Sequence, residues 1–288
     1  MKEYIDMRWI SDPDNEAFAE GLGATLMNPI GIVYRLRIPI SDPRYLLAKT
    51  RFNQYLRDNP GKKPGVRNFV DRKYKQSELD RAEYLRLIIA PRAVFYPHGE
   101  ATGTIYDDSS MCPKCGWGRR QVSPLRLKLN RIRKGVDVAR TVQRAYEYVV
   151  SQRFVDIVNL EGVTGLEFAP VEDTGRKKVE AAWYQIVVTG RAELATPPTQ
   201  FGYDYLMDNP EIERENICVE HENLGLNLLS EAHLRADLPP DSEFSITRQR
   251  SGEGRNFDHT YIITQRLYRL LRECDVQGFD VEVAHVAK

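Results

Sequence analysis

Apolar residues of this 288-residue chain fall into short alternating runs more often than into long helical stripes. Between Ile30 and Ile40, the apolar Ile32, Tyr34, Leu36 and Ile38 alternate with Arg35 and Arg37, which predicts a strand with one buried face. The spacing of Leu46, Leu47, Phe52 and Leu56 predicts a short helix from Pro43 to Tyr55, and Asp58 to Gly65 is rich enough in proline and glycine to predict a loop. Residues 76–86 have helical character. Tyr84 to Ala90 and Ala93 to Tyr96 read as a strand pair, or as one strand bent around Pro91. Further on, Leu125, Leu127 and Leu129 alternate with Arg126 and Lys128, so three leucines face a core and two cations face out. Ala182 to Leu194 has strand character and is closed by the breaker Ala195-Thr-Pro-Pro-Thr199.

Two segments 113 residues apart repeat one another. Tyr148-Val-Val-Ser-Gln-Arg153 leads to Gly165-Leu-Glu-Phe168, as Tyr261-Ile-Ile-Thr-Gln-Arg266 leads to Gly278-Phe-Asp-Val281. Each predicts a buried strand, a helix capped by a hydroxyl (Ser151 or Thr264) and a second strand. Phe154, Ile157 and Val158 form the apolar stripe of the first helix, which Gly162 ends; Leu267, Leu270 and Leu271 form that of the second. Val276 and Phe279 repeat the apolar residues that follow the helix, and Cys274 reads as a core residue. The pairs Gln152-Arg153 and Gln265-Arg266 recur at the first helical turn, which points to a shared structural role. An arginine is unfavourable beside a helix N-terminus, so each should have a partner, with Glu167 and Asp280 as candidates. Because one such unit cannot bury its own helix face, the two should pack together or share a sheet. The expected division is an N-terminal α/β segment over 1–83 and a duplicated domain over 84–288, with halves 84–195 and 196–288.

Composition adds a soluble globular class, with 42% hydrophobic and 28% charged residues. Formal net charge is zero, although Arg51 to Lys75 and Arg119 to Lys134 are basic and Asp204 to Glu222 is acidic. The charged N-terminus lacks the apolar core of a signal peptide, and no apolar run reaches the roughly 18–20 residues of a membrane span. The expectation is a cytoplasmic protein with no membrane partner.

The four cysteines include one C-x-x-C, which in a reducing compartment favours metal over a disulfide framework. Cys112-Pro-Lys-Cys115-Gly116 resembles a zinc knuckle, in which the glycine lets backbone N–H groups approach the sulfurs. Cys218-Val-Glu-His221 has the same spacing and stands in nearly the same place relative to the second repeat. Together Cys112, Cys115, Cys218 and His221 supply the four N/S ligands of a structural zinc ion. The expected class is therefore α+β, with duplicated strand-helix-strand units packed around a Cys3His site. A redox role for the first pair fits poorly, because Gly116-Trp-Gly-Arg starts a helix badly. His98-Gly-Glu100 ahead of Cys112 invites comparison with zinc deaminases, but too few residues separate the two motifs and four protein ligands would leave no open position. There is no P-loop, G-x-G-x-x-G, G-x-S-x-G or H-E-x-x-H.

The C-x-x-C-G motif, the strand leading to [ST]-x-R and the helix ending in Gly162-Val-Thr-Gly-Leu166 resemble the myxobacterial-type double CxxCG family. Val150 to Leu166 also looks like the tail of immunity proteins of polymorphic toxin systems. The resemblance covers about residues 84–288 and departs at the second motif, where Cys218-Val-Glu-His221-Glu222 lacks the last cysteine and the glycine. It implies a non-enzymatic cytoplasmic protein that binds and neutralises a cognate toxin, and the acidic segment Asp204 to Glu215 would suit a basic one. A competing expectation is nucleic-acid binding by Arg119, Arg120, Arg126, Lys128, Arg131, Arg133 and Lys134, with Trp117 for stacking. An enzyme using His98, Glu100 or His259 beside the metal ranks third.

Overall fold

In the computed structural model, which describes residues 1–10, 13–27, 33–59, 66–142, 147–177, 182–202, 205–206, 217–253 and 256–287, the chain divides into two compact units. Met1–Glu78 with Gly202–Glu215 forms the first, and Leu79–Phe201 with Asn216–Lys288 forms the second. The first boundary falls five residues before the cut expected at 83. The return of Gly202–Glu215 to the first unit was not foreseen, and most of that acidic segment lies outside the described residues.

The first unit runs β1 (Lys2–Ile10), α1 (Pro13–Gly21), β2 (Thr25–Leu26), β3 (Val33–Pro39), α2 (Pro43–Asp58) and β4 (Val66–Lys73). Its sheet order is β2-β3-β1-β4 with all neighbours antiparallel. This is the split β-α-β-β-α-β arrangement. The alternation read from β3 sets the register, with Tyr34, Leu36 and Ile38 opposite Trp9, Met7 and Ile5, all six buried. Ile32, read as part of the same face, lies outside the described residues. Asp42 caps α2 through the Arg44 amide, and Pro43 opens it. The helix extends to Asp58 and buries Ala48, Phe52 and Leu56, a stripe spaced by four. Leu46 and Leu47 therefore point elsewhere and are 66% and 55% exposed. Only one helical turn, Gln76–Leu79, forms within the helix expected over 76–86, because Tyr84 begins a strand.

The second unit contains β5 (Tyr84–Ile89), β6 (Val94–Phe95), β7 (Val138–Thr141), β8 (Tyr148–Ser151), α3 (Gln152–Leu160), β9 (Leu166–Pro170), β10 (Trp183–Val188), β11 (Gly190–Ala192), β12 (Ala232–Leu234), β13 (Phe244–Glu253), β14 (Asn256–Thr264), α4 (Gln265–Glu273) and β15 (Phe279–Val286), with further two-residue strands between them. One sheet has the order β9-β10-β8-β7-β6 and the other β11-β13-β14-β5-β15-β12. The bridge Leu194↔Leu234 joins the outermost strands of the second sheet and closes it around Ala192, Leu194, Ala232, Leu234, Ile262 and Ala284.

The two repeats have identical pairing. Val149 faces Gln185 as Ile262 faces Arg86, and Leu166 faces Val188 as Phe279 faces Ile89. Val138 faces Val150 as Phe244 faces Ile263. The strand lying between the two strands of each repeat comes from outside that repeat: β5 enters the sheet of the C-terminal repeat from the opposite half, and β10 enters that of the N-terminal one from beyond β9. The expected halves 84–195 and 196–288 are thus not self-contained, since β5 leaves the first for the sheet of the second. Pro91 marks the crossing between β5 and β6, which belong to different sheets rather than to one hairpin or one bent strand.

Ser151 and Thr264 cap their helices by accepting from the Phe154 and Leu267 amides. Both helices face one core, in which Phe154, Val158, Leu267 and Leu271 are at most 1% exposed; Ile157, Leu270 and Cys274 are partly buried against it. Arg153 bonds Asp137 and the carbonyl of Cys274 that ends α4; Arg266 bonds Glu243 and the carbonyl of Glu161 that ends α3. The recurrent arginines thus pair with Asp137 and Glu243, not with Glu167 or Asp280. Each also satisfies free carbonyls at the end of the other repeat's helix. Gly165 and Gly278, at φ +91° and +112°, pass so close to Phe244 and Val138 that an added Cβ would lie 2.0 Å from either carbonyl oxygen. Leu125, Leu127 and Leu129 are buried as read, although only Arg126–Leu127 is strand. Among the described residues, no helix is long and apolar enough to cross a membrane.

Candidate metal centre

Both ligand pairs sit in similar backbone turns. The Cys112 amide donates to the Trp117 carbonyl and the Gly116 amide to the Cys112 carbonyl, while Gly116 takes φ +71°. One repeat later the Cys218 amide donates to the Asn223 carbonyl, and the Asn223 amide returns the bond. Glu222 stands in the position of Gly116 and takes φ 53°. The missing glycine is therefore a strained residue in a turn of the same form, at a cost of roughly 1–2 kcal/mol. The amides of Cys115 and Lys114 point at Cys112 Sγ, with that of Cys115 the larger influence, and hold its thiol down to about 7. Burial pushes the Cys218 thiol up to about 11.

The two turns converge. Ligand atoms of Cys112, Cys115, Cys218 and His221 all lie within 4.8 Å of one another, and His221 Nδ1 is 3.4 Å from Cys115 Sγ and 3.3 Å from Cys218 Sγ. A tetrahedron with Zn–S of about 2.3 Å and Zn–N of about 2.0 Å has edges of roughly 3.5–3.8 Å. The two sulfur–nitrogen distances lie close to that figure, and the soft donor set of three sulfurs and one nitrogen suits zinc. Four protein atoms fill the four positions.

Arg250, only 1% exposed, closes the site. Its Nη2 donates to Cys115 Sγ at 3.6 Å and to the His221 carbonyl at 3.2 Å. The guanidinium lies 4.7 Å from the Trp117 ring centre and 4.6 Å from that of Phe257, and Trp117 stacks on His221 at 5.8 Å. Asn223, fully buried, ties the second knuckle to this hairpin through Gly252 and Arg250. The sequence reading missed Arg250, Phe257 and Asn223. A signal existed: the stretch from Thr247 to Tyr261 is seven residues longer than its counterpart from Thr141 to Tyr148, and this excess lengthens the β13–β14 hairpin that carries Arg250.

The other chemical candidates do not join the tetrad. His98 Nδ1 accepts from the Ala101 amide, and Glu100 pairs with Arg119 at 3.3 Å. His259 is half-buried with Nδ1 donating to the Thr247 carbonyl, and loss of hydration depresses its pKa to about 4. In the basic run, Arg119 has a side chain 1% exposed, pairs with Asp108 and lies over Tyr106; Arg120 pairs with Asp107 and Arg126 with Glu172. Lys128, Arg131, Arg133 and Lys134 keep part or all of their surface in solvent. Elsewhere the equivalent Tyr148 and Tyr261 meet at 4.4 Å, and Tyr148 donates to Asp258, whose burial raises its carboxyl to about 6. Comparison of the chain with protein-family models and with curated proteins gives no match.

Proposed function

We propose that this chain is a non-enzymatic protein-binding protein whose second unit is an internal duplication pinned by one structural zinc ion, and that it acts in the bacterial cytoplasm as an immunity protein neutralising a cognate toxin. The observation that carries the zinc reading is the convergence of Cys112, Cys115, Cys218 and His221 from two turns of similar backbone form. Zinc there supplies folding energy by joining ligands 106 residues apart and leaves no position for substrate. Cys112 and Cys115 hold it from one repeat, Cys218 and His221 from the other. The guanidinium of Arg250 balances the net −1 of three thiolates, a neutral imidazole and Zn2+. The equal registers of the two repeats support duplication. The immunity role rests on the likeness of the first knuckle and the capped-helix segments to the double CxxCG family, and of Val150 to Leu166 to the tail of immunity proteins of polymorphic toxin systems.

Metal analysis of protein purified without added zinc should give one zinc per chain, and Cys218→Ser should lower it; a value well below one, or an unchanged Cys218→Ser, defeats the joined site. For the immunity role, tagged chain captured from its native host should bring down a toxin encoded beside it, and co-expression should restore growth. Failure to protect against that neighbouring gene product would defeat the role while leaving the zinc site standing.

A further inference from the structure

The sheet of the first unit has one face covered by α1 and α2, and the opposite face has an unusual composition. Register and alternation place Lys2, Arg8, Arg35, Arg37 and Lys73 on it against, among the described residues, Asp6 and Asp71. Two cross-strand pairs are like-charged: Arg8 lies opposite Arg35, and Lys2 opposite Lys73. Such pairs destabilise a sheet. Asp6 bonds Arg8 and Arg35, and Asp71 bonds Arg37 and Lys73, which offsets the repulsion only in part. The side chains of Arg8, Arg35, Arg37 and Lys73 stay 35–64% exposed.

Two aromatic rings stand among these cations. Phe69 is 50% exposed, with the Arg8 guanidinium 5.3 Å from its centre. Arg37 lies 4.2 Å from the centre of the Tyr4 ring. A half-exposed phenylalanine in the strand register opposite Asp6 contributes little to folding. It does offer a flat surface on which a base can stack, between cations that can meet phosphates. We propose that this open sheet face binds single-stranded nucleic acid, with Phe69 and Tyr4 as the stacking surface and Arg8, Arg35, Arg37 and Lys73 as the phosphate contacts. An acidic polypeptide would satisfy the cations but has no use for the ring. This site lies in the first unit and is independent of the zinc centre.

The test is fluorescence anisotropy of full-length protein with labelled mixed-sequence 12-nucleotide RNA and DNA, and with a polyglutamate peptide of similar length. Single strands should bind at low salt, with log affinity falling against log salt at a slope of about 3 for four phosphate contacts. RNA binding alone would support the proposal and assign a role to the 2′-hydroxyl; binding of both strands supports it through stacking and phosphate contacts only. Phe69→Ala should weaken binding roughly 5- to 100-fold without lowering the melting temperature. Arg35→Ala should weaken it and flatten the salt slope by about 0.7. Asp71→Asn, which frees Arg37 and Lys73, should tighten it several-fold, a gain that misfolding cannot mimic. Lys128→Ala, in the second unit, should change nothing. Absence of binding at low salt, or binding indifferent to both Phe69→Ala and Arg35→Ala, overturns the proposal. Equal binding of polyglutamate and RNA with no effect of Phe69→Ala overturns it in favour of an acidic polypeptide.

Discussion

Replacing Arg250 by methionine keeps most of the side-chain volume and removes the charge that would balance the proposed zinc site. The guanidinium is 1% exposed and donates to Cys115 Sγ and the His221 carbonyl. Losing a buried charge partner of this kind costs about 3–5 kcal/mol, and the two ring contacts lie within the same range of effects. For a unit of this size, roughly 2–4 °C per kcal/mol translates the loss into a melting temperature about 6–20 °C lower in the zinc-loaded protein. The sign should change on chelation. Without zinc the Cys218 thiol, pushed up to about 11, takes up a proton while Cys112, at about 7, is divided between thiol and thiolate, so the guanidinium loses anionic charge facing it and its burial becomes a cost that methionine removes. Calorimetry of wild type and Arg250→Met, each with one zinc per chain and after chelation, reads both effects. An equal fall with and without metal would mean that Arg250 acts by packing alone, and a fall under about 2 °C in the loaded protein would refute the charge-balance reasoning.

Asp258 carries the pH dependence. Its folded pKa of about 6 lies above the usual 3.8 because burial opposes ionisation. Stability from this group is therefore full below pH 3.8 and is lost as pH rises through 6, by about 3 kcal/mol in all. Asp258→Asn, which can still accept from Tyr148, should gain on wild type between about pH 4 and 6 and level off above that in paired denaturant titrations; a constant difference between about pH 4 and 6 counts against it. Gly165→Ala and Gly278→Ala should each cost about 3–5 kcal/mol, from a Cβ placed 2.0 Å from a carbonyl oxygen at positive φ. Gly162→Ala, at φ +63° with open space around it, should cost only about 1–2 kcal/mol, and equal melting temperatures for the three variants would contradict the close approach. Glu222→Gly should relieve the strained knuckle and stabilise the protein by about 0.5–1 kcal/mol, as measured by chemical denaturation; destabilisation would show that the exposed Arg248 pair matters more.

What the sequence made legible follows from what is local. Two residues separate the ligands of each knuckle, and that spacing belongs to one tight turn, so Cys112, Cys115, Cys218 and His221 could be read without knowing the fold. Caps at Ser151 and Thr264 were legible for the same reason. Apolar and β-branched runs identified Tyr84–Ile89 and Trp183–Val188 as strand, but such a run says nothing of which neighbour lies alongside. The insertion of these two strands between the strands of each repeat was therefore hidden. Arg250 was hidden because its partners are a sulfur 135 residues away and a carbonyl, neither of which leaves a pattern nearby. Leu46 and Leu47 misled because apolar residues at a helix surface are common, and the stripe set by Ala48, Phe52 and Leu56 excludes them.

Strand insertion and the proposed metal site bear on the same problem. With β5 between β14 and β15, the second sheet cannot form its centre from the C-terminal half alone. β5 finds both its partners more than 170 residues later in the chain, so that sheet cannot assemble until Phe279–Val286 is available, and closing such a loop carries a large entropic cost. With the proposed zinc bound, the two knuckles would join the same halves through four ligand bonds that need no sheet register. A metal held there shortens the effective loop between β5 and its partners. The seven extra residues of the second hairpin carry Arg250 to Cys115 on the paired β13 and β14, so charge balance at a metal held there would depend on that pairing.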